Sequence, residues 1–370
     1  MGRTKPEGSS ALLGRWGDAV AMKPVEIVGG GLAGLALGIA LRKRGIPVGI
    51  LEAARYPRHK VCGEFLSGGD PGLFEALGIL DLLERFPIQR SLLFASRGKV
   101  FFRSTLPRPA YGASRFLLDA RLAERFQQLG GELHLGERVA APSEKGRVVA
   151  TGRPRGEARW LGIRIELAAA SPRADLEMHF GKRGYAGLAS TGRGRANLCA
   201  LLEGSAFPRQ GALSRIEFFS ACLEERGLGS LAELLGRGEP LPESFVAVAG
   251  FRLGRNPCEA EEIRIGDAYA AIPPFTGNGM AMALESALLA ADPLADYARG
   301  RLSWREARGS VELLLWQRLR RRMRWALALH RWILRDGVGG SLWWLLGRRL
   351  IPFDFLCGRL QGSPSEGEFG

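Results

Sequence analysis

Three glycines near the N-terminus constrain the fold more than any other feature of this sequence. A short apolar run at residues 25–28 leads into Gly29-x-Gly31-x-x-Gly34, and an amphipathic stretch follows. A second apolar run then ends at Glu52, 21 residues after Gly31. This order predicts a strand, a tight turn, a helix and a second strand, which together form a βαβ unit.

Each position in the turn has a chemical reason in a dinucleotide-binding site. Gly29 permits the tight turn, Gly31 lets a pyrophosphate approach the backbone, and Gly34 lets the helix pack on the strand. Leu32 and Ala33 lie between these glycines at the helix N-terminus, where backbone N–H groups face the phosphates. We therefore expect all five residues to contact the cofactor or to shape its site.

The acid at the end of the second strand completes the pattern. Glu52 is expected to accept hydrogen bonds from the ribose hydroxyls of adenosine, and its charge disfavours a 2′-phosphate, so NADP is not expected here. The alternative is a purely structural turn, since the chain contains 51 glycines. The agreement of both strands, the helix and the acid favours the dinucleotide site.

A second glycine-rich loop lies far downstream, in the segment IRIGDAYAAIPPFTGNGMAMALESALLAADPL at residues 263–294. Its prolines fix the approach of the chain, and its glycines expose backbone N–H groups at the start of a helix, where an anion such as a reduced flavin is favoured. The alternative is an ordinary connection to a helix that begins at Thr276. The predicted cofactor contacts in this segment are Asp267, Pro274, Gly277, Asn278, Gly279 and Met280.

Together these blocks resemble the flavoprotein superfamily that contains aromatic-ring hydroxylases and geranylgeranyl reductases. The match spans residues 24–295, and the stretch KVCGEFLS at residues 60–67 resembles the K-x-C-G-E-x-L-S motif of the reductase branch. The resemblance implies an FAD-dependent oxidoreductase. It further implies that Arg115 contacts the flavin phosphates, that the backbone of Val139 contacts adenine, and that Asp267 accepts from the ribityl hydroxyls.

Cys62 and Gly63 belong to the reductase-like motif and are expected beside the flavin. A thiol there could be redox-active, but no partner cysteine lies near Cys62 in the sequence, so a packing role is favoured. The five cysteines are widely spaced and form no Cys/His cluster, which argues against a disulfide framework and against a metal site. No catalytic residue is assigned.

Departures from the family pattern bear on the reaction. Thr151-Gly152 stands where the aromatic hydroxylases carry Asp-Gly, and the W-x-W-x-I-P stretch of flavin-dependent halogenases is missing. We favour an NAD(P)H-dependent monooxygenase that hydroxylates a hydrophobic aromatic, polyketide or lipid-like substrate. The alternative is a geranylgeranyl-reductase-like enzyme that saturates an isoprenoid or other alkene. A second alternative is a membrane-associated flavin-binding protein without catalysis.

The predicted fold class is α/β: a Rossmann-type FAD-binding domain with an inserted antiparallel sheet and a helical C-terminal extension. The FAD-binding domain comprises residues 22–85, 112–157 and 255–298, and the inserted sheet comprises 86–111 and 158–254, where short alternating segments predict strands. Candidate pocket-wall residues, each of which also fits an ordinary core, are Phe101, Phe102, Trp160, His179, Phe180 and Tyr185.

The charge is concentrated near the C-terminus. The chain carries +14, and residues 299–349 hold 13 arginines against three acidic residues, so about +10 lies in that segment. Residues 299–357, the basic Trp-rich extension, also contain six of the eight tryptophans.

Two apolar lines are expected on the helix of this extension. One, which packs on the protein, contains Trp316, Leu319, Met323, Leu327, His330 and Leu334. The other, on the opposite side, contains Trp325, Leu329 and Trp332. Burial of both lines and peripheral membrane contact through residues 310–357 are the competing interpretations. Nucleic-acid binding is disfavoured, because the dinucleotide motifs would then have no role.

The remaining features concern the ends of the chain and its location. Residues 1–21 lack the apolar core of a signal peptide, so a flexible tail or a start at Met22 is expected, and residues 358–370 are expected to be a disordered tail. No stretch is long and apolar enough to span a bilayer. These features and the isolated cysteines indicate the cytoplasm, with the inner face of the membrane open as a site of contact.

Overall fold

The structure, a computed structural model, describes most of the chain between Met22 and Gln361. The described ranges are 22–139, 145–154, 160–192, 194–204, 213–250, 252–258, 261–335, 345–348 and 350–361. The expected tail at residues 1–21 lies outside them, as does most of the tail expected at residues 358–370.

The first layer is a parallel sheet of five strands in the order β14-β7-β1-β2-β6. Its two central strands are the predicted ones, and every residue of both is buried. Burial on both faces explains why these strands are mostly apolar, and Glu26, the charged residue within β1, pairs with the buried Arg147. The strands are β1 (Val25–Val28), β2 (Val48–Glu52), β6 (Glu132–Leu135), β7 (Arg147–Val149) and β14 (Ile263–Arg264).

Five helices accompany this sheet. The helix of the predicted βαβ unit packs against both the helix after the second glycine loop and the helix that begins at Arg115. Segments far apart in the sequence therefore share one core. The helices are α1 (Leu32–Lys43), α2 (Pro71–Leu77), α3 (Leu80–Leu83), α4 (Arg115–Gln128) and α7 (Gly279–Ala298).

The second layer is a mixed sheet of eight strands in the order β12-β8-β11-β10-β9-β4-β5-β3. The predicted antiparallel sheet is present, with one parallel junction, where β4 pairs with β9 and Leu92 lies opposite Leu176. These two strands are far apart in the sequence, so no hairpin dictates their direction. The strands are β3 (Phe65–Leu66), β4 (Ile88–Ser96), β5 (Lys99–Gly112), β8 (Trp160–Leu167), β9 (Leu176–Gly181), β10 (Gly184–Gly192), β11 (Arg195–Glu203) and β12 (Pro240–Ala249).

Alternation along the second sheet separates a core face from a face that lines a cavity. Ile163 and Leu198 pack under two helices, α5 (Arg215–Glu225) and α6 (Gly229–Arg237), which cover one face of the sheet. Successive residues of a strand point to opposite faces of the sheet. Tyr185 and Cys199 point to the face opposite the two helices and line the cavity there. Strands β13 (Gly254–Arg255) and β15 (Ala270–Ala271) form a separate two-stranded sheet.

The C-terminal part that the structure describes contains helices α8 (Trp304–Ile333) and α9 (Phe353–Gln361). Helix α8 begins with a capping box. The Ser303 side chain accepts from the backbone N–H of Glu306, and the Glu306 side chain accepts from the backbone N–H of Ser303. It packs against α7 and α9. Among the described residues, no helix combines the length and the apolar composition needed to cross a membrane.

The expected pair of apolar lines on α8 is partly wrong. Leu319, Met323 and His330 of the first line are buried, but Trp316 is 41% exposed. Leu329, expected on the opposite side, is buried in the same face, whereas Trp325 and Trp332 are half-buried at its margins. The helix therefore buries one broad face, since the apolar residues between 315 and 333 recur at three- and four-residue spacing around a single side.

Candidate cofactor-binding cavity

A cavity of about 590 Å³ lies between the two sheets. The parallel sheet contributes residues at and just beyond the carboxyl ends of its strands, including Val28, Glu52 and Thr151. The mixed sheet contributes its alternate face, including Tyr185 and Cys199. Open α/β sheets bind ligands at this end of the strands, so the topology alone marks the cavity as the candidate site.

The three glycines of the first loop have distinct structural roles. Gly29 has a φ of +108°, and a Cβ at this position would overlap the carbonyl oxygen of Ala150. A Cβ at Gly34 would overlap the carbonyl oxygen of Gly29, so this residue allows the close packing of helix on turn. At Gly31, by contrast, the nearest protein atom is Lys60 Nζ at 3.8 Å. The open space beside Gly31 faces the cavity and admits a ligand to the backbone.

Two helices present free N-termini to this cavity. Gly31 precedes α1 and Asn278 precedes α7, and neither helix has a side-chain capping hydrogen bond. The residues that follow, Leu32 and Met280, line the cavity. Uncapped N–H groups and the positive ends of two helix dipoles favour an anionic ligand that spans both loops, as FAD does.

Glu52 is fixed by the glycine turn that it faces. Its buried carboxylate accepts from the N–H of Gly30 at 2.7 Å and from the N–H of Ala54 at 2.9 Å. Arg58 lies 3.4 Å from the same carboxylate. Oε2 accepts only the bond from Gly30 among the contacts of the described residues, so Glu52 can still accept from a ribose hydroxyl through this oxygen.

A triad of charges lies at the start of α4, where Asp119 is buried and Arg115 and Lys60 are partly exposed. Asp119 accepts two hydrogen bonds from Arg115, at 2.7 and 2.8 Å, and lies 2.8 Å from Lys60 Nζ. Burial alone would raise the pKa of Asp119, but the charges of Arg115 and Lys60 hold it below its usual value. Two cations thus share one anion, which leaves one positive charge for a phosphate at the cavity wall.

Asp267, from the second loop, is also paired. Arg153 Nε donates to its Oδ2 at 2.7 Å, and both residues line the cavity. Gly277 has a φ of +67°, and its carbonyl accepts from Ser67 Oγ at 3.2 Å. This bond ties the second loop to the KVCGEFLS segment, so the two predicted motifs meet in space.

The KVCGEFLS segment is held by the second sheet. Glu64, which is fully buried with a φ of +55°, lies 3.1 Å from Arg164 and accepts from the N–H of Arg115 at 3.0 Å. Asn197 donates through Nδ2 to the carbonyl of Cys62 at 2.9 Å. These contacts fix Cys62 and Gly63 on the cavity wall.

Cys199 brings a second thiol to the cavity of Cys62, which the sequence spacing did not reveal. Both cysteines line the wall, and Cys199 lies two residues after Asn197 on β11. Burial raises the pKa of the Cys62 thiol, and it raises that of Cys199 to about 12. Both groups are therefore neutral thiols near pH 7, which makes them weak nucleophiles.

The cavity has an apolar part beyond the second loop, walled by Leu176, Met178, Leu201 and Phe275. Tyr185 brings a hydroxyl to this wall, and its oxygen lies 3.5 Å from Nδ1 of His330 on α8. Burial raises the pKa of Tyr185, so the phenol stays protonated and can donate.

Only Tyr185 among the six candidate wall residues lines the cavity. His179 is buried and lies 2.9 Å from Glu177, away from the cavity wall. The other four belong to or pack against an aromatic core that includes residues of α8: Phe101, Phe102, Trp160 and Phe180.

Fourteen of the sixteen predicted cofactor contacts line the cavity. Gly34 and Asn278 lie behind the wall, where Asn278 donates through Nδ2 to the carbonyl of Leu360 at 3.0 Å. The wall residues that the prediction named are Gly29, Gly31, Leu32, Ala33, Glu52, Cys62, Gly63, Arg115, Val139, Asp267, Pro274, Gly277, Gly279 and Met280.

Sequence reasoning missed several polar groups at the site. Lys60 lies within the quoted motif, and Asp119 lies one helical turn after Arg115, so their spacing gave a signal that could have been used. Arg153 and Cys199 had no comparable signal, because only the fold brings them to the cavity.

Comparisons with known proteins concern the fold. No protein-family model matches the chain. One component of the anaerobic glycerol-3-phosphate dehydrogenase of Haemophilus influenzae is 33% identical over 145 residues, which are 37% of this chain and 29% of that component. The match thus spans less than a third of that relative. The menaquinone reductase of Mycolicibacterium smegmatis is 26% identical over 316 residues, covering 72% of this chain and 75% of that protein.

Solved structures show the same fold over most of their length. PqsL of Pseudomonas aeruginosa, a probable FAD-dependent monooxygenase, has a TM-score of 0.65 at 18% identity and covers 86% of this chain and 98% of its own. The flavin-dependent brominase Bmp2 has a TM-score of 0.72 at 16% identity, with coverage of 91% and 93%. HpxO of Klebsiella pneumoniae, solved with FAD and uric acid, has a TM-score of 0.66 at 16% identity, with coverage of 92% and 97%.

The chain therefore has the fold of the FAD-dependent monooxygenases, which confirms the predicted fold class. The superfamily resemblance inferred from the motifs is confirmed at the level of fold. The residues at the cavity fit FAD, because the open face of Gly31, two uncapped helices and a surplus cation suit its pyrophosphate. The fold is thus one that FAD-dependent oxidoreductases share.

Proposed function

We propose that this protein is an FAD-dependent monooxygenase that hydroxylates a hydrophobic aromatic, polyketide or lipid-like substrate, with NAD(P)H as the electron donor. The observation that carries the proposal is one continuous cavity with a polar part and an apolar part. Its polar part has the glycine loops, Arg115 and Asp267, and its apolar part has Met178 and Phe275.

The chain's own residues have separable tasks in this proposal. Arg115 and the free N–H groups of α1 hold the phosphates, Glu52 holds the adenosine ribose, and Asp267 binds the ribityl chain. Bound FAD supplies the oxidation-reduction chemistry, while the protein orients the reactants and keeps the site dry. The apolar wall excludes water, and the Tyr185 hydroxyl offers one hydrogen bond to a substrate oxygen.

The test uses the purified full-length protein loaded with FAD. Oxygen uptake is measured with NADH and with NADPH, before and after the addition of lipidic phenols, and products are analysed by mass spectrometry. We expect substrate-stimulated oxygen uptake and a product that gains one oxygen atom. A protein that takes up no FAD, or one whose products never gain oxygen across the panel, would contradict the proposal.

A second candidate is the reduction of an isoprenoid or other alkene. It is supported by the menaquinone reductase relative and by the reductase-like segment that lines the cavity through Cys62 and Gly63. Anaerobic turnover with a reduced donor would then yield a product that gains two hydrogens and no oxygen. The same mass measurement decides between the two reactions.

A further inference from the structure

From residue 318 onward, the arginines of α8 fall into two groups with different surroundings. Arg318 and Arg322 point toward α7, where both pair with Glu285, at 3.6 and 3.0 Å. Four others lie on the exposed face of the helix, and none of them has a carboxylate partner within the described parts of the chain: Arg320, Arg321, Arg324 and Arg331. The two inward arginines share one carboxylate within the protein, and the four outward ones have none among the described residues.

The exposed arginines surround a groove of about 700 Å³. All four line it, and Trp325, Leu327 and Ala328 complete its walls. We name this groove and its rim the arginine groove. A concave site with several guanidinium groups on an apolar base suits an anionic headgroup joined to a hydrophobic body.

Exposed apolar side chains lie beside the arginine groove. Trp316 is 41% exposed, and the guanidinium of Arg320 lies 4.0 Å from its ring centroid. On α9, Phe355 is 47% exposed and its ring centroid lies 6.3 Å from that of Trp325. Leu313, one turn before Trp316, is 53% exposed. Large apolar groups in water are costly unless another surface covers them.

We propose that the arginine groove and its aromatic rim dock this protein on an anionic phospholipid surface, with α8 parallel to the bilayer. Guanidinium groups then meet lipid phosphates, and the aromatic side chains enter the headgroup region. The positive charge of the arginines requires that the partner surface be negative. The exposed Leu313, Trp316 and Phe355 favour a bilayer over nucleic acid, because the nucleic-acid backbone has no apolar layer. The proposal does not depend on the reaction that the cavity performs.

The inner face of the same helix connects this surface to the cavity wall. Leu329 and Ile333 of α8 belong to the aromatic core that contains Tyr185, and His330 lies 3.5 Å from the Tyr185 hydroxyl. One helix thus carries the membrane-facing arginines on one side and supports the apolar part of the cavity on the other. This arrangement suits a substrate that resides in a lipid phase.

Vesicle sedimentation of the FAD-loaded full-length protein tests the proposal. We expect binding to vesicles of phosphatidylcholine with phosphatidylglycerol, little binding to phosphatidylcholine alone, and weakening as salt rises. R320E/R324E should reduce binding by at least about tenfold, since each basic residue near an anionic surface contributes about 1 kcal/mol. The matched control is R85E/R97E, which makes the same charge change at exposed arginines outside α8 and α9.

A second variant separates lipid from other polyanions. W316A/F355A keeps all charges, so it should weaken vesicle binding and leave binding to a duplex DNA probe unchanged. Equal loss in R320E/R324E and R85E/R97E, or vesicle binding that W316A/F355A does not change, would overturn the proposal. FAD content and oxygen uptake are measured on every variant, so a failure of membrane binding is distinguished from a failure of the proposed reaction.

Discussion

Arg153 donates through Nε to Oδ2 of Asp267 at 2.7 Å, and this pair joins the end of the parallel sheet to the second glycine loop. The two residues are 114 positions apart in the sequence. Their carboxylate and guanidinium occupy the cavity at the point where the two cofactor motifs meet. Asp267 is therefore fixed in place before it accepts any hydrogen bond from a ligand.

Replacement of Asp267 should weaken the binding of FAD. Asp267→Asn removes a charged acceptor together with its ion pair to Arg153, and charged hydrogen bonds contribute about 1.5–3 kcal/mol. We expect the Kd for FAD, measured by quenching of flavin fluorescence, to rise by about tenfold or more. Asp292→Asn is the control, because Asp292 is an exposed acid on α7 that pairs with Arg44. Equal affinities in both variants would contradict the assignment.

Two glycines of the first loop should respond to alanine in opposite ways. At Gly31 an added Cβ meets no protein atom within 3.8 Å, so Gly31→Ala should leave the thermal stability of the apoprotein nearly unchanged and strongly reduce FAD binding. At Gly34 an added Cβ overlaps the carbonyl of Gly29, so Gly34→Ala should destabilise the apoprotein by about 1–3 kcal/mol. Thermal unfolding without FAD and a titration with FAD separate the two effects. Normal affinity in Gly31→Ala would exclude this loop as the phosphate site.

The charge triad at α4 predicts a dependence of stability on pH. The pKa of Asp119 lies below its usual 3.8 in the folded state, so its stabilising effect is complete above that value and is lost as the pH falls below it. Asp119→Asn leaves Arg115 and Lys60 without a carboxylate, and we expect a loss of about 3 kcal/mol at pH 7.

Urea unfolding of the parent and of Asp119→Asn between pH 3 and pH 7 measures this effect. The difference in the free energy of unfolding should be largest at neutral pH and should shrink in acid. Asp81→Asn, at a surface pair with Arg125, is the control and should cost at most about 1 kcal/mol. A variant at Asp119 that is no worse than this control would contradict the triad.

The cavity cysteines provide a footprint of the cofactor. Cys62 and Cys199 line the cavity, whereas Cys258 is exposed elsewhere. We expect FAD to protect the first two from a small alkylating reagent and to leave the labelling of Cys258 unchanged, as followed by peptide mass spectrometry. Because burial raises the pKa of both cavity thiols, their labelling in the apoprotein should be slow at pH 7 and faster at higher pH. Labelling that is insensitive to FAD would place the cofactor elsewhere.

The local sequence pattern was sufficient to predict those strands, turns and helices whose residues are neighbours in the sequence. The first strand, the glycine turn, the helix and the strand ending at Glu52 are present as predicted, and α7 begins at Gly279 directly after the second glycine loop. Hydrophobic runs, glycine turns and a terminal acid are all read from adjacent positions, so one sequence contains them completely.

Helix α8 shows where such reading fails. Its sequence offers apolar residues on more than one side, and periodicity alone does not say which side is buried. Packing against α7 decides this, because the pairs of Arg318 and Arg322 with Glu285 fix the rotation of the helix. Trp316 is exposed as a result, and Leu329 joins the core.

The sequence by itself determined the strand, glycine turn, helix and second strand near the N-terminus, the class of fold and the concentration of charge near the C-terminus. Only the tertiary structure decided the parallel junction of β4 with β9, the pairing of Arg153 with Asp267, and the meeting of Cys62 with Cys199. The physical reason is the range of the interactions. Turns and helix starts depend on residues a few positions apart, whereas the cavity wall is built from segments that meet only after both sheets have packed.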